Sequence, residues 1–246
     1  MNRYHVLIEY VGTNFIGWQI QSKGKSIQKL IQTKISKLLK EKIIVIGSGR
    51  TDAGVHAIEQ SAHFDSKKKI VHLESFVKSV NYFLNDKNIS IINIKKKNLN
   101  FHARFSAKQR VYKYVIFNRI SKPSIEKERG WHIIKKLDVS LMKKGSKKLL
   151  GINDFSTFRA SSCNAKSSIK TMKSIKIKSI KGRIEIQLKS QSFLQQQVRS
   201  MVGCLKYLAE KKWDLKKFDK IFKSKKRILC APPAPAHGLF LEKVIY

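Results

Sequence analysis

The sequence predicts an α+β fold built from two similar halves. In each half, some segments alternate apolar and polar residues as half-buried strands do, and others repeat apolar residues every three or four positions as amphipathic helices do. Of the 246 residues, 42% are hydrophobic and only 4 are proline, which is enough apolar content for one large or two small domains. We therefore expect a first half over residues 1–105 and a second over 106–246.

The elements of the first half follow from these two periods. Alternation over 4–10 predicts an opening strand, and the glycines over 12–17 predict a turn after it. Apolar residues three and four positions apart predict a helix over 26–41 with Ser26 as its N-cap. The remaining predicted elements are a short strand, a longer strand, a helix and a final strand, over 43–46, 55–64, 73–84 and 89–94.

The second half repeats this order of elements. Its predicted strands cover 111–117, 172–180, 183–189 and 239–246, and its predicted helices cover 139–150, 193–209 and 215–222. Lys181 and Gly182 separate two strictly alternating runs, which is typical of a hairpin. A polar connector is expected over 118–130. The shared order suggests a duplicated topology, although the halves show no residue-level identity.

The chain is strongly basic, with 52 Lys and Arg against 16 Asp and Glu and a formal net charge of +36. A field of that sign attracts polyanions, so we expect a nucleic acid partner. Lysine supplies 42 of the cations and arginine supplies 10. Because lysine codons are A/T-rich, part of the lysine content reflects base composition. Arginine is therefore the more informative cation.

The sequence argues against export and against a disulfide scaffold. Lysines interrupt every apolar run, so none reaches the roughly 18 residues that span a bilayer. Residues 1–3 lead straight into a strand pattern instead of a signal peptide. Cys163, Cys204 and Cys230 are odd in number and form no C-x-x-C pair. We expect a soluble protein in a reducing cytoplasm.

Residues 47–56 read GSGRTDAGVH and place three glycines around one arginine and one acid, between two predicted strands. Walker and Rossmann phosphate loops are excluded, because no Gly-Lys-Ser/Thr follows and the next element is a strand. Asp52 is the only carboxylate between Glu41 and Glu59. From the loop alone it is either a turn residue with an Asx hydrogen bond or a reactive group.

Residues 49–56 resemble the signature loop of the tRNA pseudouridine synthase A family. Further blocks resemble that family in the same order, at 101–114, 151–159, 198–203 and 231–241, and the opening stretch 10–19 matches as well. Half of the ten arginines lie in or beside these blocks, namely Arg50, Arg104, Arg110, Arg159 and Arg199. A planar guanidinium suits phosphate and carboxylate, which agrees with RNA contact.

The resemblance implies an isomerase that breaks the uridine C1′–N1 bond, rotates the uracil and rejoins it through C5. Asp52 is then the catalytic carboxylate. It attacks the base, attacks the ribose or removes a ribose proton, and the sequence leaves these three routes open. Arg199 is expected to contact Asp52 and keep it ionised. Arg50 is expected to project to the face opposite Asp52 and fill the space that a flipped base leaves.

Tyr112 is expected to stack on the extruded uracil or to move a proton, and a core strand tyrosine is the alternative. Substrate contacts are expected from Tyr112 and from two further groups of residues: Phe101, His102, Ala103, Arg104 and Phe105, and Cys163, Asn164 and Lys166. The first group alternates aromatic and basic side chains, which suits stacking and charge together.

The resemblance also implies the setting of the reaction. The substrate would be the tRNA anticodon arm at positions 38, 39 and 40, and the protein would be a homodimer. The antiparallel sheets of the two halves would join into one, with the active cleft between the halves. No cofactor is implied, and no metal is expected, because His56 and His63 lack cysteine or acidic companions at ligand spacing.

The alternative function is a non-catalytic basic RNA-binding protein, such as a ribosome-associated factor or a tRNA chaperone. Asp52 argues against it, since a pure binder gains nothing from a negative charge where phosphates approach. The chain departs from the family pattern beside Arg199, at residues 195–197, which are all glutamine, and at Ser200.

Overall fold

The computed structural model describes residues 1–85 and 87–246, which divide into two compact units. The first unit is Met1–Lys108 with Phe240–Tyr246, and the second is Gln109–Leu239. The sequence-based division assigned residues 240–246 to the second half, whereas this terminal strand lies in the first unit. Both units mix strands and helices, so the predicted α+β class is confirmed. Within the described residues, none of the helices combines the length and apolar character that crossing a bilayer requires.

The described residues form ten strands and five α-helices. In chain order they are β1 (Asn2–Tyr10), α1 (Ile27–Leu39), β2 (Ile46–Gly47), β3 (His56–Ser66), α2 (Leu73–Tyr82), β4 (Ile89–Lys97), β5 (Gln109–Phe117), β6 (Trp131–His132), α3 (Val139–Lys147), β7 (Gly151–Asp154), β8 (Ile169–Ile180), β9 (Arg183–Ser190), α4 (Gln197–Ala209), α5 (Leu215–Lys223) and β10 (Leu239–Ile245).

The first unit has the strand order β4, β1, β3, β10. β1 pairs antiparallel with both β3 and β4, and the short β2 also pairs with β3. β10 runs parallel to β3, with Phe240 opposite His56 and Leu241 opposite Ala57. The last strand belongs to the first unit because it is hydrogen-bonded to β3, although the two strands are far apart in the sequence.

Helix α1 begins as predicted, with the Ser26 hydroxyl accepting a bond from the Lys29 amide. The predicted strand over 43–46 is wrong, since only its last residue lies in a strand. Side chains of α1 satisfy this backbone instead. The Ile43 amide donates to Ser36 Oγ at 3.0 Å, and the Val45 carbonyl accepts from Gln28 Nε2 at 2.7 Å. These bonds to helix side chains occupy backbone groups that a strand would use in a ladder.

The second unit has the strand order β5, β9, β8, β7, all antiparallel, and β6 adds in parallel to β5. Lys181 and Gly182 form the predicted turn between β8 and β9, with φ values of 46° and 76°. The two short strands β6 and β7 were not predicted. Both are too short for any alternation to be visible in the sequence.

Helix α4 begins at Gln197, four residues after the predicted start at 193. Gln196 has a φ of 60°, which is incompatible with a right-handed helix. The Gln197 side chain is fully buried, and its Oε1 accepts a bond from the Leu194 amide at 2.8 Å. The glutamine run therefore ends the preceding loop and starts the helix, and the apolar periodicity alone did not reveal this boundary.

Two histidines of the first unit have strongly lowered pKa values, half-buried His5 on β1 and buried His63 on β3. Burial, together with the smaller effects of the Lys97 and Lys95 charges, lowers the pKa of His5 to about 4. Burial also lowers the pKa of His63 to about 4; the charges of Arg3, His102 and His5 act in the same direction, and Asp65 opposes them. Both rings are therefore neutral at pH 7.

These histidines make stability depend on pH. An unfolded histidine has a pKa near 6.5. As the pH falls from about 6.5 toward 4, the unfolded chain therefore binds more protons than the folded chain, which stabilises the unfolded state. We predict a lower free energy of unfolding at pH 5 than at pH 7. The fall should be smaller for His63→Gln than for wild type, as measured by urea denaturation at both pH values.

The control is His72→Gln, which replaces an exposed histidine before α2 and should retain the wild-type pH dependence. If His63→Gln also retained the full wild-type dependence, His63 would not be the source of the effect.

Candidate active site

The loop of residues 48–55 carries Asp52 and enters β3 directly. Gln60 on β3 holds residues 48 and 49 of this loop through the oxygen and the nitrogen of its side-chain amide. The Ser48 hydroxyl donates to Gln60 Oε1 at 2.9 Å, and Gln60 Nε2 donates to the Gly49 carbonyl at 3.0 Å. Ser48 and Gln60 are buried, so these bonds are shielded from water.

The centre of the loop is held at Thr51 by the last residue of β1 and by the segment that follows β1. The Thr51 side chain is buried, and its hydroxyl is bonded to the Tyr10 hydroxyl at 2.8 Å. The Thr51 carbonyl accepts from the Trp18 amide at 3.2 Å. Gly17 makes this approach possible, because a Cβ at Gly17 would lie 2.6 Å from the Thr51 carbonyl oxygen and the residue has a φ of 107°. Two motif segments thus pack backbone to backbone.

Asp52 is half-buried, between exposed Ala53 and buried Thr51. Its carbonyl accepts from the Val55 amide at 3.1 Å, which closes a turn immediately before β3. Arg50 is exposed. In an extended backbone residues two apart share a face, and the expectation that Arg50 projects to the face opposite Asp52 stays a prediction.

The segment 101–105 belongs to the same unit and turns its side chains in two directions. Phe101 and His102 are half-buried and Ala103 is fully buried, whereas Arg104 and Phe105 are exposed. The Phe105 ring lies 4.4 Å from the His102 ring, and the Arg104 guanidinium lies 5.6 Å from the Phe105 centroid. The exposed part of this segment is therefore an aromatic and basic surface.

In the second unit, Tyr112 lies on β5 opposite Leu188 of β9. Its side chain is 8% exposed and packs edge to face against Phe193, with ring centroids 5.1 Å apart. Phe193 therefore fixes the orientation of the Tyr112 ring.

Arg199 lies in the first turns of α4 and is tied to residues 231–235. Its Nε donates to the Ala234 carbonyl at 2.7 Å, and its own carbonyl accepts from the Ala234 amide at 3.0 Å. A Cβ at Gly203 would lie 2.1 Å from the Pro232 carbonyl oxygen, so only glycine fits there. The motif blocks at 198–203 and 231–241 therefore pack directly against each other.

The departures beside Arg199 are buried structural residues. Gln197 fixes the start of α4, as described above. The Ser200 hydroxyl accepts from Arg227 Nη1 at 2.8 Å and is fully buried. Both residues therefore support the helix that carries Arg199.

The motif block at 151–159 is followed by Cys163, Asn164 and Lys166. The Cys163 side chain is buried and its carbonyl accepts from Arg159 Nη2, while Asn164 and Lys166 are exposed. Burial raises the pKa of Cys163, but the backbone amides of Ala165 and Gln195 and the charge of Arg159 outweigh it and lower the pKa. Asn164 and Lys166 are thus accessible to a ligand.

The other two cysteines are free but adjacent, with Sγ atoms 3.4 Å apart. The hydrogen bond from Cys204 lowers the pKa of Cys230, and Arg227 lowers it further. The two cysteines are 26 positions apart in the sequence, so no local pattern predicted this contact. Across the described part of the chain, no three His, Cys, Asp or Glu side chains come close enough together to hold a metal ion.

Sequence reasoning missed the residues that hold the 101–105 segment. His63 Nδ1 accepts from the Ala103 amide at 3.1 Å, and the Tyr246 hydroxyl donates to the Ala103 carbonyl at 2.8 Å. Arg3 Nη1 donates to the Phe101 carbonyl at 2.7 Å. Each partner is distant in the sequence, so no local pattern could have indicated it.

Comparisons with known proteins identify the family of this chain. The family model described as tRNA pseudouridine synthase matches residues 6–106 and 146–246. The tRNA pseudouridine synthase A of Pelagibacter ubique (strain HTCC1062) is 79% identical over 246 residues, covering 100% of both chains. That of Anaplasma phagocytophilum (strain HZ) is 41% identical over 248 residues, covering 99% of this chain and 100% of the relative.

A solved structure, a Cbf5-Nop10-Gar1 complex, matches with a TM-score of 0.33 and 11% identity, over 82% of this chain and 53% of that chain. This structural similarity is too low to carry an argument. The family model and the full-length relatives match the chain across the Asp52 loop and the later motif blocks. On these matches, the chain belongs to the tRNA pseudouridine synthase family.

Proposed function

We propose that this protein converts uridine to pseudouridine at positions 38, 39 and 40 of the tRNA anticodon arm, with Asp52 as the catalytic carboxylate. The observation that carries the proposal is the Asp52 loop, in which a half-buried carboxylate stands on a backbone held by Gln60, Tyr10 and Trp18. A rigid carboxylate is what covalent or acid–base chemistry at the sugar–base junction requires. Family membership and the full-length relatives support the same reaction.

Four residues divide the chemistry in this proposal. Asp52 attacks the base or the ribose, or removes a ribose proton, and all three routes stay open. Arg199 keeps the Asp52 carboxylate ionised during turnover. Arg50 fills the space left by the extruded uridine, and Tyr112 stacks on the uracil. The isomerisation has no net redox change, so the proposal includes no cofactor.

The substrate contacts in the proposal come from both units. The surface of residues 101–105 offers an exposed aromatic ring and a guanidinium, a combination that stacks bases and pairs with phosphates. Asn164 and Lys166 are exposed beside buried Cys163. The net charge of +36 strengthens the approach of any RNA. We further propose that the enzyme acts as a homodimer in the cytoplasm, with its cleft between the two halves.

The alternative, a non-catalytic RNA-binding protein, has no support among the comparisons, because the matched family and its full-length relatives are synthases. Binding alone also leaves the Asp52 loop unexplained. A binder would not need the buried contacts that immobilise a negative charge.

The proposal is tested by incubating the protein with unmodified tRNA and mapping pseudouridine at single-nucleotide resolution. We expect modification at positions 38, 39 and 40 and at no other uridine. Pseudouridine confined to another arm would refute the proposed site, and binding without any pseudouridine would support the non-catalytic alternative.

Asp52→Asn should abolish turnover while leaving tRNA binding and folding near wild type. The amide keeps the shape of the side chain but cannot act as a base or a nucleophile, so we expect a loss of about 100- to 10,000-fold in the single-turnover rate. The control is Asp214→Asn, where asparagine also serves as an N-cap, here of α5. Activity of Asp52→Asn within about tenfold of wild type would contradict the assignment.

Gly17→Ala should slow the reaction at saturating tRNA, because the new Cβ would displace the Thr51 carbonyl and shift the adjacent Asp52. A displacement of about 1 Å costs up to about 100-fold in rate. The matched control is Gly182→Ala, which adds the same side chain at another positive φ, 76°, in the β8–β9 turn. Both variants should lose some stability. Equal saturated rates for the two variants would show that the approach of Gly17 does not position the loop.

A further inference from the structure

Both peptide groups of Ala103 are bonded inside the first unit. Its amide donates to His63 Nδ1 at 3.1 Å, and its carbonyl accepts from the Tyr246 hydroxyl at 2.8 Å. The side chain itself is 0% exposed, whereas the neighbouring Phe105 is 77% exposed. Ala103 is therefore a fixed point from which Arg104 and Phe105 extend to the surface.

The Tyr246 hydroxyl belongs to a chain of hydrogen bonds with one consistent direction. Because it gives its proton to Ala103, it accepts one from the Ser61 hydroxyl, and Ser61 Oγ in turn accepts from His5 Nε2 at 2.7 Å. This order requires a proton on His5 Nε2, and because the pKa of that ring is lowered, the neutral ring with its proton on Nε2 is the form that satisfies it at pH 7. The Tyr246 ring is also held, with its centroid 4.9 Å from that of Phe101.

A second anchor fixes the residues just before Ala103. Arg3 forms a two-bond contact with Asp65, with Nε to Oδ1 and Nη2 to Oδ2 both at 2.7 Å. Its remaining terminal nitrogen, Nη1, donates to the carbonyls of Leu99 and Phe101. The backbone from 99 to 103 is thus bonded to β1, β3 and Tyr246.

The surface part of the segment is ordered from within. The His102 ring accepts from the amides of Arg104 and Phe105 at 3.1 and 3.3 Å, and the Ser106 hydroxyl accepts from the His102 amide at 2.9 Å. These bonds make a compact turn. The turn is joined to the sheet by the bonds at Ala103, by Arg3, and by the contact between the His102 and His63 rings, whose centroids lie 4.7 Å apart.

We propose that Tyr246 and His63 are positioning residues for tRNA binding, which hold Ala103 so that Arg104 and Phe105 face the RNA in one preset orientation. The inference rests on the proposed contact between residues 101–105 and tRNA. Holding a binding segment in its bound conformation raises affinity by lowering the entropy lost on binding. The effect of Tyr246 and His63 is therefore on affinity and not on the chemical step.

Tyr246→Phe is the most conservative test, because it removes one hydroxyl and keeps the ring against Phe101. We expect half-saturation in single-turnover assays to need about three- to tenfold more tRNA, the effect of losing one hydrogen bond. The rate at saturation should stay at the wild-type value. The matched control is Tyr82→Phe, at a tyrosine that is 81% exposed on α2, and it should behave as wild type.

A double-mutant cycle with Arg104→Ala separates this inference from the proposed function. If Tyr246 acts by orienting the segment, Arg104→Ala should cost less affinity in the Tyr246→Phe background than in wild type. Equal costs in both backgrounds, or a lower saturated rate for Tyr246→Phe with unchanged half-saturation, would overturn the positioning role. If Arg104→Ala alone left affinity unchanged, the proposed contact would be wrong and the inference would fail with it.

Discussion

The backbone after β1 lies directly against the backbone of the Asp52 loop, and the proposed chemistry depends on this contact. Gly17 allows it, since any side chain there would meet the Thr51 carbonyl. The Trp18 amide then bonds that carbonyl at 3.2 Å. Gln60 holds the start of the loop and the Val55 amide bonds the Asp52 carbonyl, so the backbone is held on both sides of the Asp52 side chain. A catalytic carboxylate gains most when its position is set before the substrate arrives.

Much of the fold could be predicted because its elements have clear periods. Helix α1 and its Ser26 cap, and the β8–β9 hairpin around Lys181 and Gly182, follow from local sequence and were confirmed. The errors arose where tertiary contacts decide. Residues 43–45 are apolar enough for a strand, but side chains of α1 take their backbone bonds. The start of α4 depends on the positive φ of Gln196, which periodicity does not reveal.

The candidate site was predicted through motifs, and the motifs are explained by packing. Asp52 and Arg199 each lie on a backbone that a glycine lets another segment approach, Gly17 in the first case and Gly203 in the second. Motifs did not distinguish side chains that meet the ligand from those that hold the chain. Ala103 was predicted as a contact, yet its side chain is fully buried and its peptide groups are bonded within the unit.

The central claim is that the Asp52 loop is held rigidly by the segment before α1, and native-state hydrogen exchange tests it most directly. The informative amides are those of Trp18, bonded to the Thr51 carbonyl, and Val55, bonded to the Asp52 carbonyl. In the free protein, we predict that both are protected to nearly the same degree as the amides of β3. Exchange of these two amides as fast as in an unstructured chain, with β3 still protected, would contradict the account.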